Sequence, residues 1–154
     1  MIIPQKEYVV ISTELLDAAN RDDIKRVAVR LIIQKNKSLL MLKRVPESHF
    51  PDIYELPGGG LNEGEDIFSG AQRELHEETG LSIVSFDSVI EIIDFIHVSD
   101  ESKGRQYIFS VESGNEEIIL NPKEHTAYAW VSFTDIDTID MLPKTKNIVR
   151  KVLQ

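Results

Sequence analysis

Three glutamates in one short stretch, Glu74, Glu77 and Glu78, are the residues of this sequence whose types and spacing could do chemistry. Residues three and four positions apart lie on the same face of a helix, so the three carboxylates project together. The same stretch has an apolar stripe, formed by Ile67, Phe68, Ala71 and Leu75. Glu78 points almost along that stripe. Like charges in such a place repel one another and lose hydration, and a divalent cation relieves both costs.

The pattern therefore predicts a metal site on a helix, and an ordinary solvated acidic face is the alternative. Gly80 follows the helical run directly, and glycine is the usual residue just past a helix C-terminus because it adopts the left-handed conformation easily. Asp66, or the acidic residues just before it, is predicted to lie near the N-terminus of the helix, where negative charge is favoured. Before the helix comes a glycine run, Gly58 to Gly60, which lets the backbone approach a bound group closely.

Residues 58–81 as a whole resemble the Nudix box. The matching positions are Gly59, Glu65, Arg73, Glu74, Leu75, Glu77, Glu78, Gly80 and Leu81. Nine specified positions in 23 residues make a far more specific pattern than a lone glycine-rich loop. The Nudix domain is about as long as this chain, so the resemblance implies a single domain over residues 1–154. It also implies an α/β/α sandwich around a central mixed β-sheet, whereas periodicity alone predicts only the α+β class.

The resemblance implies a role for most residues of the box. Glu74, Glu77 and Glu78 would be metal ligands and catalytic residues, together with the carbonyl oxygen of Gly59 as a ligand. Arg73 would orient the glutamates without touching substrate. Glu65 would contact the metal-binding residues without binding the metal itself. The implied cofactor is Mg²⁺, with Mn²⁺ left open.

One further ligand or base is expected from outside the box. Glu124 is the candidate, because it lies in a loop just ahead of a predicted strand around Trp130, where some members of the family place such a glutamate. A solvated loop acid is the alternative, and Glu116 and Glu117 are weaker competitors. The general base stays open among Glu74, Glu77 and Glu124, and His97 and His125 are expected to be structural.

Composition narrows the class of protein. The chain has 154 residues, a formal net charge of −9 and no cysteine. One domain fits this length, and such an acidic surface repels nucleic-acid backbones, so we expect no nucleic-acid partner. The lack of cysteine and of any apolar run near ~20 residues predicts a cytoplasmic protein without a membrane span. Whether the protein is a monomer or a homodimer stays open.

Hydrophobic periodicity predicts strands alternating around two helices. Residues 1–24 are interpreted as an N-terminal extension with an edge strand at 7–11, and Ser12 or Thr13 could cap a short helix after it. The other predicted strands lie at 25–33, 39–44, 53–56, 83–87, 89–97, 105–112 and 128–132, and those at 83–87 and 89–97 are either separate or continuous with a bulge. A loop at 45–52, a short helix at 133–139 and a last helix from Pro143 complete the prediction.

The predicted chemistry is hydrolysis of a phosphoanhydride in a nucleoside diphosphate linked to another group. No subfamily signature is found after the box, so the interpretation leans to a nucleoside triphosphate, oxidised ones included, giving a monophosphate and pyrophosphate. ADP-ribose, nucleotide sugars and dinucleoside polyphosphates are the alternatives. Arg44 is the candidate for substrate phosphate. The candidates for the base are Phe50, Tyr54, Tyr107 and Asn147.

Three other functions are compatible with parts of this pattern, but each fits it less well than hydrolysis. An isopentenyl diphosphate isomerase shares the Nudix fold but relies on a cysteine, which this chain lacks. A non-catalytic nucleotide-sensing module has no need for the full carboxylate set. A structural protein would leave the glutamate cluster unexplained.

Overall fold

The structure, a computed structural model, describes all 154 residues. Its helices are α1 (Tyr8–Arg21), α2 (Ile67–Thr79) and α3 (Pro143–Leu153), with 3₁₀ turns at Gln5–Glu7 and Phe133–Thr138. Its strands are β1 (Arg26–Lys35), β2 (Ser38–Arg44), β3 (Tyr54–Glu55), β4 (Gly58–Gly60), β5 (Ile83–Ile96), β6 (Lys103–Ser113) and β7 (His125–Ser132). None of the three helices is both long enough and apolar enough to cross a membrane.

Strand β1 is the centre of a mixed sheet. It runs parallel to β6 over eight residue pairs and antiparallel to β4, so that Val29 lies opposite Gly59. The far end of β1 also pairs with β2, which in turn pairs with β7 and β3. Strand β5 borders β6 along its whole length, and shifts of register confirm the predicted bulge. The glycine run of the box is therefore an edge strand held against the central strand.

The sheet carries an apolar core on each face. Successive residues of a strand point to opposite faces, and in β1 Leu31 belongs to one core while Ile32 belongs to the other. Helices α1 and α2 cover the first core, which includes Phe68 and Leu75 of α2. Helix α3 covers the second through Ile148 and Val149. This arrangement confirms the α/β/α sandwich with a central mixed sheet.

Helix α2 has the predicted ends. The Asp66 carboxylate accepts a hydrogen bond from the Ser69 backbone N–H at 3.0 Å and so caps the first turn. Gly80 ends the helix in the left-handed conformation, with φ 76°. Local interactions thus determine where α2 begins and ends. Glu74 and Glu78 lie on the face of this helix that is next to the sheet.

The predicted strand at residues 7–11 is wrong, because these residues form the first turn of α1. The β-branched run Val9-Val10-Ile11 favours a strand locally, but packing decides otherwise. Tyr8 stacks on Phe68 with ring centroids 4.2 Å apart, and it meets Phe86 edge to face. Residues 1–24 are thus mainly helical, and nothing in them forms an edge strand.

Ser12 does not cap a helix either. It lies inside α1 and is buried, and its hydroxyl accepts a hydrogen bond from the Ile67 N–H at 2.9 Å. The Ile67 N–H is one of the donors that an α-helix leaves unpaired at its N-terminus. Helix α1 therefore supports the start of the helix that carries the glutamates.

Candidate active site

Glu78 is a buried acid at the centre of the site. Only 3% of the residue is exposed, and its Oε1 accepts a hydrogen bond from the Gly58 N–H at 2.7 Å. Burial raises the pKa of Glu78 to about 8, against the lowering effects of that hydrogen bond and of Arg30, with the charges of Glu55 and Glu74 raising it further. No arginine or lysine forms an ion pair with this carboxylate, although it lies in the most protected part of the cluster.

Arg73 ties the other carboxylates together. Its Nε and Nη2 donate to the two oxygens of Glu65, each at 2.8 Å, and Nη2 also donates to the Gly60 carbonyl. Its Nη1 donates to Glu74 at 3.0 Å and to Glu77 at 3.1 Å. These bonds, with that to Glu65 first, hold the pKa of Arg73 above its usual range despite partial burial. The guanidinium thus fixes two box glutamates to the end of β4.

Glu74 lies directly against the glycine strand. A Cβ atom at Gly59 would come within 2.6 Å of its Oε2, so any larger residue at this position would displace the Glu74 carboxylate. Burial raises the pKa of Glu74, while Arg73 lowers it and the charges of Glu77 and Glu124 raise it. A carboxylate in contact with bare backbone, among like charges, is a place for a cation.

Glu124 lies near Glu74, on the loop before β7. It is exposed, its charge is one of the causes that raise the pKa of Glu74, and the Asn121 amide approaches it at 3.4 Å. The Asn121 N–H also reaches the carbonyl of Glu78, at 3.3 Å, which ties the loop to the end of α2. Its competitor Glu116 instead accepts from Ser82, away from the cluster.

A second, partly buried acid, Glu55, lies beside Glu78. It forms ion pairs with Arg44 at 3.0 Å and Arg30 at 3.4 Å, and it is 2.8 Å from His125 Nε2. Burial alone would raise the pKa of Glu55, but Arg30, the His125 hydrogen bond and Arg44 together lower it to about 2. His125 in turn places its Nδ1 3.8 Å from Glu78 Oε2. The pKa values of these two neighbouring carboxyl groups are thus shifted in opposite directions, down for Glu55 and up for Glu78.

A cleft of about 1160 Å³ opens next to the cluster. Arg44, Phe50, Tyr54 and Glu55 line it, and Gly60 and Glu65 form the border that it shares with the box. Its volume slightly exceeds the range of about 300–1,000 Å³ that is usual for small-molecule sites, so it has room for a nucleotide. The cleft and the carboxylates together could hold an anionic substrate with its phosphates at the metal and its other end in the cleft.

The structure brings together most of the predicted site residues, but not all. Asn147 is exposed on α3 and borders a separate, smaller depression with Glu91 and Lys151, so it is not in the cleft. Tyr107 is buried, and its hydroxyl donates to the Leu15 carbonyl, which makes it a core residue. The remaining candidates for the base, Phe50 and Tyr54, do line the cleft.

The sequence analysis did not single out Glu55, and its expectation that His125 is structural stays a prediction. Glu55 belongs to a two-residue strand without periodicity, and no spacing relates residues 55, 78 and 125. The one local signal was an acidic residue three positions before Gly58, inside an otherwise apolar segment. The pairing of β2 with both β3 and β7 brings Glu55 and His125 together, and α2 contributes Glu78.

Known proteins resemble this chain in sequence and in fold. A family model described as the NUDIX domain matches residues 24–154. The nucleoside triphosphatase NudI of Salmonella heidelberg (strain SL476) is 31% identical over 131 residues, covering 79% of this chain and 92% of that protein. An RNA pyrophosphohydrolase of Rhizobium meliloti (strain 1021) is 36% identical over 100 residues, but these span only 59% of its length and 52% of this chain. A MutT protein from Methanosarcina mazei Go1 superposes with a TM-score of 0.69 at 27% identity, covering 82% and 91% of the two chains.

Proposed function

Because the chain belongs to the Nudix hydrolase family, we propose that it hydrolyses a phosphoanhydride bond in a nucleoside triphosphate, in a reaction that requires Mg²⁺. The products would be a nucleoside monophosphate and pyrophosphate. The observation that carries the proposal is the cluster itself: Glu78 is buried with a raised pKa and no cationic partner, beside Glu74 and a cleft of nucleotide size.

The residues present fit a divalent cation of the Mg²⁺ type. The donor set of Glu74, Glu77, Glu78 and Glu124, with the backbone at Gly59, consists of oxygen atoms, which Mg²⁺ prefers. A Cβ atom at Gly59 would lie 2.6 Å from Glu74 Oε2, so the backbone of β4 and this carboxylate are close together. When bound, Mg²⁺ supplies positive charge that neutralises phosphate oxygens and favours ionisation of the attacking water.

The side chains of the protein would perform the remaining tasks. Arg73 holds Glu74 and Glu77 in place, so that little reorganisation is needed when substrate binds. A carboxylate of Glu74, Glu77 or Glu124 takes the proton of the attacking water. The water oxygen forms a bond to the α-phosphorus, the bond from that phosphorus to the bridging oxygen breaks, and pyrophosphate leaves.

The cleft would bind the nucleoside. Phe50 has 40% of its surface exposed and Tyr54 lies nearby on β3, so both offer faces on which a base can stack. Arg44 lines the same cleft and is fixed by Glu55 and by Ser48 Oγ at 3.2 Å. An arginine held in this way is suited to a phosphate oxygen. The name of the Salmonella relative, nucleoside triphosphatase, agrees with this class of substrate.

The experiment that tests the proposal is a product assay with purified protein and Mg²⁺. The panel contains normal and oxidised nucleoside triphosphates, ADP-ribose, nucleotide sugars and dinucleoside polyphosphates, with 5′-triphosphorylated RNA included because of the name of the Rhizobium relative. Phosphate is measured with and without added pyrophosphatase. We expect release from a triphosphate only when pyrophosphatase is present.

The matched controls are Glu78→Gln and Glu14→Gln, since Glu14 is an exposed acid on α1 outside the cluster. Turnover that disappears with EDTA and in Glu78→Gln but survives in Glu14→Gln would support the proposal. Turnover of another member of the panel alone would overturn the choice of substrate. No turnover of any member by folded, Mg²⁺-binding protein would favour the nucleotide-sensing alternative.

A further inference from the structure

His125 is a buried histidine that the proposed hydrolysis leaves without a task. It begins β7 and is only 2% exposed, and its Nε2 is 2.8 Å from Glu55 Oε2. Glu55 is ionised because Arg30 and Arg44 bind its other oxygen. A carboxylate only accepts hydrogen bonds, so Nε2 carries the proton, and in the neutral ring the lone pair therefore lies on Nδ1.

That Nδ1 is buried and has no hydrogen-bond partner. Burying an unpaired polar atom costs about 1–3 kcal/mol, so a compensating contact is expected at this position. The closest charged group that Nδ1 faces is Glu78, whose Oε2 lies 3.8 Å away. At this distance the Nδ1 lone pair and the Glu78 carboxyl group can be bridged by a proton, which Glu78 holds in the metal-free protein, or by a metal cation that replaces that proton.

The arrangement matches what transition metals require. Zinc binds imidazole nitrogen at about 2.0–2.1 Å and carboxylate oxygen at about 2.0–2.2 Å, so two such ligands at a tetrahedral angle lie about 3.4 Å apart. Glu78 Oε2 and His125 Nδ1 need to approach by only a few tenths of an ångström to reach this separation. Histidines that bind metals also donate their other ring N–H to a carboxylate, as His125 does to Glu55.

We propose that His125 Nδ1 and Glu78 Oε2 form a binding site for a transition-metal dication such as Zn²⁺, with Glu55 fixing the orientation of the imidazole ring. The imidazole ligand distinguishes this site from the all-oxygen set proposed for Mg²⁺, because imidazole suits zinc and other transition metals better than magnesium. Water molecules complete the coordination.

The two metal sites share Glu78 and so cannot both use the same oxygen of its carboxylate. Zn²⁺ at His125 therefore withdraws Glu78 from the Mg²⁺ ligands. Where the proposed hydrolysis holds, micromolar Zn²⁺ inhibits it and excess Mg²⁺ reverses the inhibition. Inhibition rests on the proposed function, but zinc binding does not.

The direct test is an NMR titration of the metal-free protein with Zn²⁺, observing the ring nitrogens of its four histidines. We expect the Nδ1 resonance of His125 to shift with the first equivalent, while Nε2 keeps its proton. The exposed ring of His76 should shift only in excess zinc. If His76 or another histidine responds first and His125 stays unchanged, the proposal is wrong and zinc binds at the surface.

Variants test the same site by affinity, measured in competition with a chromophoric chelator. His125→Gln and Glu78→Gln should each weaken Zn²⁺ binding about tenfold or more, and His76→Gln should leave it unchanged. Glu78→Gln keeps the test decisive should His125→Gln fail to fold. Equal affinity in wild type and Glu78→Gln would refute the site. Because these measurements use no substrate, their failure and a failure of the proposed hydrolysis are seen separately.

Discussion

Replacing Glu78 by glutamine should make the metal-free protein more stable while abolishing its turnover. The carboxylate is buried, and its pKa rises from the ordinary 4.5 to about 8 on folding. Between these two values the folded protein holds a proton that the unfolded chain has released. The wild type therefore loses stability as pH rises through this window, and glutamine, which does not titrate, removes the loss.

The magnitude follows from the same shift. One proton of difference is worth about 1.4 kcal/mol per pH unit. Between pH 5 and pH 7.5, the wild type should lose about 3 kcal/mol relative to Glu78→Gln. For a domain of this size that corresponds to a difference in Tm that widens by about 6–12 °C over the same range. The variant keeps the Gly58 hydrogen bond through its amide oxygen, and its amide nitrogen faces the unpaired Nδ1 of His125.

Thermal unfolding in EDTA at several pH values, with Glu14→Gln as the control, measures this difference. Addition of Mg²⁺ should raise the Tm of the wild type, because a ligand that binds only the folded state stabilises it, and should leave Glu78→Gln unchanged. Parallel curves for the two proteins between pH 5 and pH 7.5 would refute the reasoning about the buried proton. Near-normal turnover by Glu78→Gln would refute the metal assignment.

Three further substitutions test other parts of the site and the core. Gly59→Ala places a Cβ 2.6 Å from Glu74 Oε2, so it should displace that carboxylate. The Mg²⁺ concentration for half-maximal turnover should then rise at least tenfold, and an unchanged Mg²⁺ titration would contradict this. Arg44→Ala should raise KM about tenfold with a smaller effect on kcat, because the Arg44 side chain lines the cleft. An effect on kcat alone would argue against a contact between Arg44 and substrate. Phe68→Ala should cost about 3–5 kcal/mol in urea unfolding, against less than about 1 kcal/mol for the exposed Phe50→Ala, and similar costs would contradict the packing.

The sequence predicts well what local chemistry determines. The ends of α2 follow from Asp66 and Gly80, and the common face of Glu74 and Glu78 follows from helical spacing. The strand order does not follow in the same way, because β1 pairs with β6, more than seventy residues later, and periodicity carries no information about such partners. Where local propensity and packing disagree, as at Val9 and Val10, packing prevails.

The part of the site that the sequence does not predict is the part that depends on three distant strands. Glu55, Arg44 and His125 meet only because β2 lies between β3 and β7. The bulge between Lys43 and Arg44 shifts the register so that Arg44 lies opposite His125. No spacing within the sequence indicates that these three residues are neighbours. The Nudix box alone therefore predicts the carboxylates but not the charged residues around them.

Those surrounding charges explain why Glu78 is available to a metal at all. Arg30 and Arg44 both bind Glu55, and Arg30 is held further by the carbonyls of Leu56 and Gly58. Arg73 is likewise engaged by Glu65, Glu74 and Glu77. Every nearby guanidinium is thus committed to another acid, and Glu78 alone stays buried without compensation. A divalent cation is the partner that we propose for it, and its binding would restore the stability that the metal-free protein loses at neutral pH.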